Sequence, residues 1–406
     1  MKKMILVVLC IFLFNLVVGG CSPNTMEIDN SFNMEMINNS LEKSNTSFAF
    51  DLFKQLNQED NEENIFISPL SVSVALTMTA QGAKGTTYQE MMKALHYDGI
   101  EMDTLNESLK NLLDYLNQDD EGVEVSINNS IWIKKGEDIK KTFIANNEDI
   151  FNAKVSTLDF SEKDAADTIN HWINDSTKGK IEKMIDSPIS NDIVMFLINA
   201  IYFKGDWAEE FNENETYEGK FYKEGGETED ILMMSKTGDI EYGEGENYKT
   251  VKLPYNNGSI SMYLVQPKEG SIYSFVSDLN VEKWIEIKNN ISERSNVHVE
   301  IPRFKVEYGI KNLNNVLYKL GIKDAFDGEQ ANFSDITDES LSISKVLHKA
   351  VIEVDEKGSE AAGATVVILE RAASIEKLNF IGDRPFLFII ADDETGSILF
   401  MGEKRY

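Results

Sequence analysis

Four histidines (His96, His171, His298 and His348) and two cysteines (Cys10 and Cys21) are the residues from which a nucleophilic or metal site would have to be built. Their spacing does not build one. No pair of histidines has the short separation of a zinc-binding motif. No Gly-x-Ser-x-Gly, phosphate-loop or His-Glu-x-x-His motif occurs. Gly243-Glu-Gly245 lacks the third glycine and the strand–helix setting of a dinucleotide fold. A lone histidine is ordinarily a hydrogen-bonded structural residue, and each of the four reads that way. Asp and Glu total 69 against 39 Lys and Arg, yet none stands out as half of a catalytic acid pair. They read as solvated surface. The chain is therefore expected to bind no metal and no cofactor, and an enzyme is the least favoured reading.

The segment that departs from ordinary globular sequence runs from Glu353 to Ser374. It begins as the end of a strand, Ala350 to Val354. Asp355 to Ala364 is small and polar, Thr365 to Leu369 has high β propensity, and Glu370 to Ser374 has the character of exposed chain. In an extended conformation Ser359, Ala361, Gly363, Thr365, Val367 and Leu369 share one face and carry no charge, whereas Glu360 falls on the other. Small residues followed by β-branched ones describe a loop that can also become a strand. Taken alone, the run is equally a surface loop leading into one more strand.

Periodicity sets out the elements that would hold this segment. Phe48, Leu52, Phe53 and Leu56 share a helix face, with Thr46 or Ser47 as its cap, and a turn follows at Asn57 to Asn64. Ile65 to Ile67 is a short strand, and Ser68-Pro69 opens a buried helix through Ala80. Thr86–Leu95, Met102–Leu116, Lys141–Phe151 and Lys163–Thr177 read as helices, and Val125–Ile133 as a strand. The second half is richer in strands: Ile193–Phe203, Thr250–Pro254, Ser259–Val265, Val297–Val306, Pro385–Ala391 and Ser397–Met401. Leu313–Leu320 is a helix stopped by Gly321. Helices first and strands later predict an α+β domain.

The N-terminus carries an address. Lys2 and Lys3 precede the apolar run Met4 to Val18 and then Gly19-Gly20-Cys21, the layout of an export signal. The run is shorter than the about 20 apolar residues of a membrane span. Val18-Gly-Gly-Cys21 resembles a bacterial lipobox, which implies lipidation of Cys21. Residues 1–20 are thus read as a signal peptide, 21–46 as a polar tether reaching roughly 25–30 Å, and 47–406 as one domain. The expected location is the cell envelope, as a lipoprotein, or the extracellular space. With Cys10 removed, no disulfide is available. A formal charge of −30 argues against nucleic acid, heparin-like polyanions and bare anionic lipid as partners; the lipid anchor is the one membrane contact expected, and the body is read as a monomer.

Six motifs in fixed order carry a resemblance that composition cannot. They are Asn64-Ile-Phe-Ile-Ser-Pro-Leu-Ser71, Asn199-Ala-Ile-Tyr-Phe-Lys-Gly-Asp-Trp207, Ile301-Pro-Arg-Phe304, His348-Lys-Ala-Val351, Glu356-Lys-Gly-Ser-Glu-Ala-Ala-Gly363 and Asp383-Arg-Pro-Phe386. Through them the chain from Phe48 to Lys404 resembles the serpins. One departure is Gly382, where that family usually carries a larger apolar residue. The resemblance implies a metastable fold of three β-sheets with about eight or nine helices and an exposed reactive-centre loop. It implies suicide inhibition of serine proteases, in which the cleaved loop enters the central sheet with the acyl-enzyme attached. The hinge would be Glu356, Lys357, Gly358, Ser359, Glu360, Ala361, Ala362 and Gly363. Ser68, Ser71, Asn199 and His348 would form the shutter beneath the opening sheet. Trp207, Arg303 and Glu356 would form the breach, with an Arg303–Glu356 ion pair.

Family spacing from Glu356 puts the reactive bond at Ala372–Ala373, which suits elastase-like or subtilisin-like proteases. A register shorter by one gives Arg371–Ala372 and trypsin-like targets. Two other readings stand beside this one: a serpin-fold protein that inhibits nothing, which the small hinge residues oppose, and a solute-binding lipoprotein, which the motifs oppose.

Overall fold

The computed structural model describes residues 39–60, 62–118, 122–359 and 378–406. The most apolar runs of the sequence lie deepest. β14 (Phe386–Asp392) and β15 (Ile398–Lys404) are buried along their whole length and pair antiparallel. β1 (Phe66–Ile67) adds to β15, β8 (Ile260–Pro267) to β14, and β7 (Tyr248–Pro254) to β8. The end of the long β6 (Thr228–Glu244) pairs with β7, and most of the rest with β9 (Ser292–Pro302). β5 (Tyr217–Tyr222) lies on the first part of β6, and β13 (Asn379–Ile381) joins β9 in parallel. These nine strands are continuous, but the register of β6 against β9 shifts between Gly238 and Ile240. Two of the three strand groups expected therefore share β6 and β9.

The other sheet has the order β10 (Phe304–Asn312), β11 (Leu347–Val354), β12 (Gly358–Ser359), β4 (Met195–Asp206), β2 (Val123–Lys134) and β3 (Lys154–Leu158). Among the described residues there are nine α-helices: α1 (Asn39–Glu59), α2 (Pro69–Ala80), α3 (Gly85–Ala94), α4 (Met102–Leu116), α5 (Lys141–Phe151), α6 (Ala165–Ser176), α7 (Ile272–Ser277), α8 (Val281–Asn290) and α9 (Asn314–Lys319). α2 is buried on nearly every side, as its even spread of Val, Leu, Ala and Met requires. α6 turns Ile169 and Ile173 onto Trp132 of β2 and Ile198 of β4, closing a second apolar cluster.

Three readings of the sequence need correction. The polar stretch does not extend to residue 46, because α1 begins at Asn39. Thr46 and Ser47 are inside the helix, and the Ser47 hydroxyl donates to the Lys43 carbonyl at 2.8 Å instead of capping. The second turn is held by long-range polar contacts, Ser44 to the carbonyl of His96 at 2.6 Å and Tyr97 to Asn45, so the start of the helix shows no apolar period. α1 also runs on through Glu59, past the turn expected from Asn57. Finally, Val297–Val306 is two strands. β9 ends at Pro302 and β10 starts at Phe304 in the other sheet. A chain that changes sheets keeps its β-branched composition, so propensity cannot mark the crossing.

Candidate functional site

The turn after β11 brings Gly358 and Ser359, the start of β12, between β11 and β4. Asp355 accepts from the backbone N–H of Lys357 at 2.9 Å and of Gly358 at 3.3 Å, and its own N–H donates to the Gly358 carbonyl at 2.9 Å. The chain then reverses, and Ser359 pairs with Val354 of β11 on one side and Gly205 of β4 on the other. This approach requires glycine. A Cβ at Gly358 would lie 2.0 Å from the Gly205 carbonyl oxygen, and a Cβ at Gly205 would lie 2.7 Å from the Tyr255 ring.

The expected ion pair frames this turn. Arg303 donates to both carboxylate oxygens of Glu356 at 2.7 Å, with a third bond of 3.1 Å from Nε, and Thr216 adds a hydroxyl at 2.5 Å. Burial opposes the charge on Glu356, but the bonds from Arg303 and Thr216 prevail and hold its carboxyl below the ordinary value. The crossing at Arg303, which ends β9, leaves its side chain free to make this fork. Trp207 closes the other side. Its indole N–H donates to the Asp355 carbonyl at 2.9 Å, its backbone N–H to the Lys357 carbonyl at 2.7 Å, and its ring stacks on Tyr255 at 4.5 Å between centroids.

A second polar cluster lies at the N-terminus of α2. The Ser68 hydroxyl accepts from the Ser71 N–H at 3.2 Å, capping the helix, and donates to the Leu399 carbonyl of β15 at 2.7 Å. The Ser68 N–H donates to Nε2 of His348 in β11 at 3.1 Å. Burial favours the neutral imidazole and pushes His348 down to about 4, so Nε2 is the unprotonated nitrogen and the proton sits on Nδ1. Ser71 donates to Asn199 of β4; Asn199 donates to Asn129 of β2 at 2.7 Å; and Asn129 donates to the Phe151 carbonyl at the end of α5, also at 2.7 Å. The four expected residues are thus together, although the Ser68–His348 and Ser71–Asn199 contacts are separate ties from one helix turn to two strands.

Between these clusters β4 and β11 flank a groove. Among the described residues β4 takes β2 and β12 as ladder partners, and β11 takes β10 and β12. Two strands that share one neighbour stand about 9–10 Å apart, the width of one added strand. The part of the groove that includes Ser359 is lined by Ile201, Phe203, Ala350, Ile352 and Phe400. The part that includes His348 and Asn199 is lined by Leu197, Leu347, Val72 and Leu76. Nothing in this arrangement activates a nucleophile. Its chemistry is mechanical: two strand edges with backbone donors and acceptors over an apolar lining.

Glu360, Ala361, Ala362, Gly363, Arg371, Ala372, Ala373 and Cys21 lie outside the described residues. Asn129, Thr216 and Tyr255 belong to the site and were not read from the sequence. Asn129 left a signal: Asn128-Asn129-Ser130 is polar in the middle of an apolar strand, which marks a buried side chain with a partner. Gly382 has a local reason: its N–H donates to the Glu300 carbonyl at 2.7 Å, and a Cβ there would lie 3.2 Å from the same oxygen.

The family model of the serpins, serine protease inhibitors, matches residues 43–405. A serpin-like protein of Methanosarcina mazei is 33% identical over 98% of this chain and 97% of its own. The leukocyte elastase inhibitor of Bos taurus is 34% identical over 89% of this chain and 98% of its own. The crystal structure of tengpin, a thermophilic serpin in the native state, superposes with a TM-score of 0.82 at 32% identity, covering 92% of this chain and 95% of that one. Hinge turn, polar cluster and strand-wide groove sit in a chain matched along nearly its whole length: the protein belongs to the serpin family.

Proposed function

We propose that this serpin inhibits serine proteases by suicide trapping. The observation that carries the reading is that Gly358 and Ser359 already pair between β4 and β11, while the uncharged face that follows them continues the same alternation. The protease's serine attacks the carbonyl of Ala372. The peptide bond to Ala373 breaks, the new amine takes a proton, and an ester joins the two proteins. The freed strand then extends from β12 along the groove. From Gly358 to Ala372 an extended chain reaches about 46 Å, long enough to carry the ester to the far end of the sheet.

The preferred targets are elastase-like or subtilisin-like proteases, and the Arg371–Ala372 register with trypsin-like targets is the alternative. The relative named leukocyte elastase inhibitor supports the first choice. Incubation with elastase, subtilisin and trypsin followed by denaturing electrophoresis tests the mechanism. A stable complex and a released peptide starting at Ala373 are expected. A start at Ala372 moves the bond to Arg371, and cleavage by every protease without any complex refutes inhibition. Export and lipidation at Cys21 complete the proposal, resting on the Lys2–Cys21 motif; a Cys21→Ser variant should lose fatty-acid labelling.

A further inference from the structure

We propose that Tyr255 is a positioning residue for the hinge, holding the loop stem in register before cleavage; this rests on the trapping mechanism above. Tyr255 follows β7 and forms an isolated backbone bridge with Trp207. Its ring is fixed on three sides: stacked on Trp207, edge-on to Phe203 at 5.0 Å between centroids, and against Gly205, where a Cβ would lie 2.7 Å from it. That clamp aims the hydroxyl at one atom, the Ser359 Oγ, at 2.8 Å.

Both residues are buried, Tyr255 at 0% and Ser359 at 2% exposure. Among the described residues each hydroxyl is the other's hydrogen-bond partner, and neither has a second. Two buried hydroxyls that satisfy only each other make a register check. The first inward-facing residue of the incoming strand must be a small hydroxyl at this height, because a strand slipped by one residue would present Gly358 or the side chain of Glu360 instead and leave Tyr255 unpaired. Burial also keeps the Tyr255 phenol protonated, so it can act as donor throughout.

The test uses the full chain with Tyr255→Phe, Ser359→Ala and the double variant. Phenylalanine keeps the stack on Trp207, and alanine fits the strand, so each should fold. Amide hydrogen exchange at Gly358 and Ser359 should rise about tenfold in Tyr255→Phe, because a buried hydroxyl then lacks a partner. The double variant should exchange no faster than Tyr255→Phe, since removing the second hydroxyl removes that penalty. With an inhibited protease, Tyr255→Phe should raise the number of inhibitor molecules consumed per protease while the association rate stays at the wild-type value. Wild-type exchange in Tyr255→Phe, or a double variant about tenfold faster than either single, overturns the proposal. If the wild type traps no protease, the trapping mechanism fails, and the exchange arms still decide whether the two hydroxyls hold the hinge.

Discussion

His348 should give the fold a measurable acid weakness. The imidazole is buried, accepts the Ser68 N–H, and is pushed from 6.5 down to about 4. Between those values the unfolded chain binds a proton at this site and the native chain does not. Stability from this group is therefore complete above pH 6.5, falls as the pH drops, and is spent by about pH 4. The gap corresponds to about 3 kcal/mol at about 1.36 kcal/mol per pH unit. Glu403 acts in the opposite sense within the same window. Burial, against the pull of Arg405, pushes it up to about 7, so the native chain holds the extra proton and gains stability as the pH falls from 7 toward 4.5. The clean measurement is a difference. Urea unfolding of the native form, followed by tryptophan fluorescence from pH 7.5 to 4, should be run on wild type and on His348→Gln, whose neutral amide oxygen can accept the same N–H. The Glu403 contribution cancels between them. The wild type should lose about 3 kcal/mol relative to the variant across the window. A difference that stays constant from pH 6.5 to 4 refutes the assignment of a buried, neutral His348.

Other perturbations test other parts of the site. Arg303→Ala should lower stability by about 1–3 kcal/mol by stranding the buried Glu356 carboxylate, read as a shift in the denaturation midpoint; Arg303→Lys should recover part of it. Gly358→Ala should expel β12 from the sheet because its methyl would meet the Gly205 carbonyl at 2.0 Å, and exchange at Ser359 should rise to that of an open loop. Ser359→Arg places a charge beside Tyr255 in a buried position and, on the proposed trapping mechanism, should make the protein a substrate, cleaved in the loop without an SDS-stable complex. Ser71→Ala should cost about 1 kcal/mol or more by leaving the Asn199 carbonyl short of a donor, and a midpoint equal to wild type would exclude that tie.

Much of the fold follows from local chemistry. α4 and α5 begin and end where their apolar period does, and Ser68-Pro69 opens α2 with the capping geometry that the dipeptide implies. What periodicity missed was set by distant partners. β5 and the exposed stretches of β6 are too polar to read as strands, because β5 buries only Phe221 and β6 is buried mainly at Met233, Met234, Ile240, Tyr242 and Gly243. α7 and α8 are short and start from Ser271 and Asn280 caps, a weak signal without a long apolar stripe behind it. In the site, Glu356 and Arg303 were legible through motifs, whereas Tyr255 was not: its role comes from Gly205 and Trp207 at the end of β4 and Ser359 of β12, which meet it from two distant stretches of chain.

On the proposed trapping mechanism the sheet must be both held and ready to open, and the two ties at the start of α2 can do both. Ser71 holds the β4 edge of the groove through Asn199, and Ser68 holds the β11 edge through His348. Both serines sit in one helix turn, so α2 spans the groove, and widening it requires breaking one tie and not both. Only the β11 tie titrates. Acid should therefore release β11 while β4 stays anchored to Asn129 and the end of α5. Hydrogen exchange at pH 4 should rise along Leu347–Val354 and remain slow along Ile198–Phe203. Equal acceleration of both edges would mean that the sheet loosens as a unit and that the two ties do not act separately.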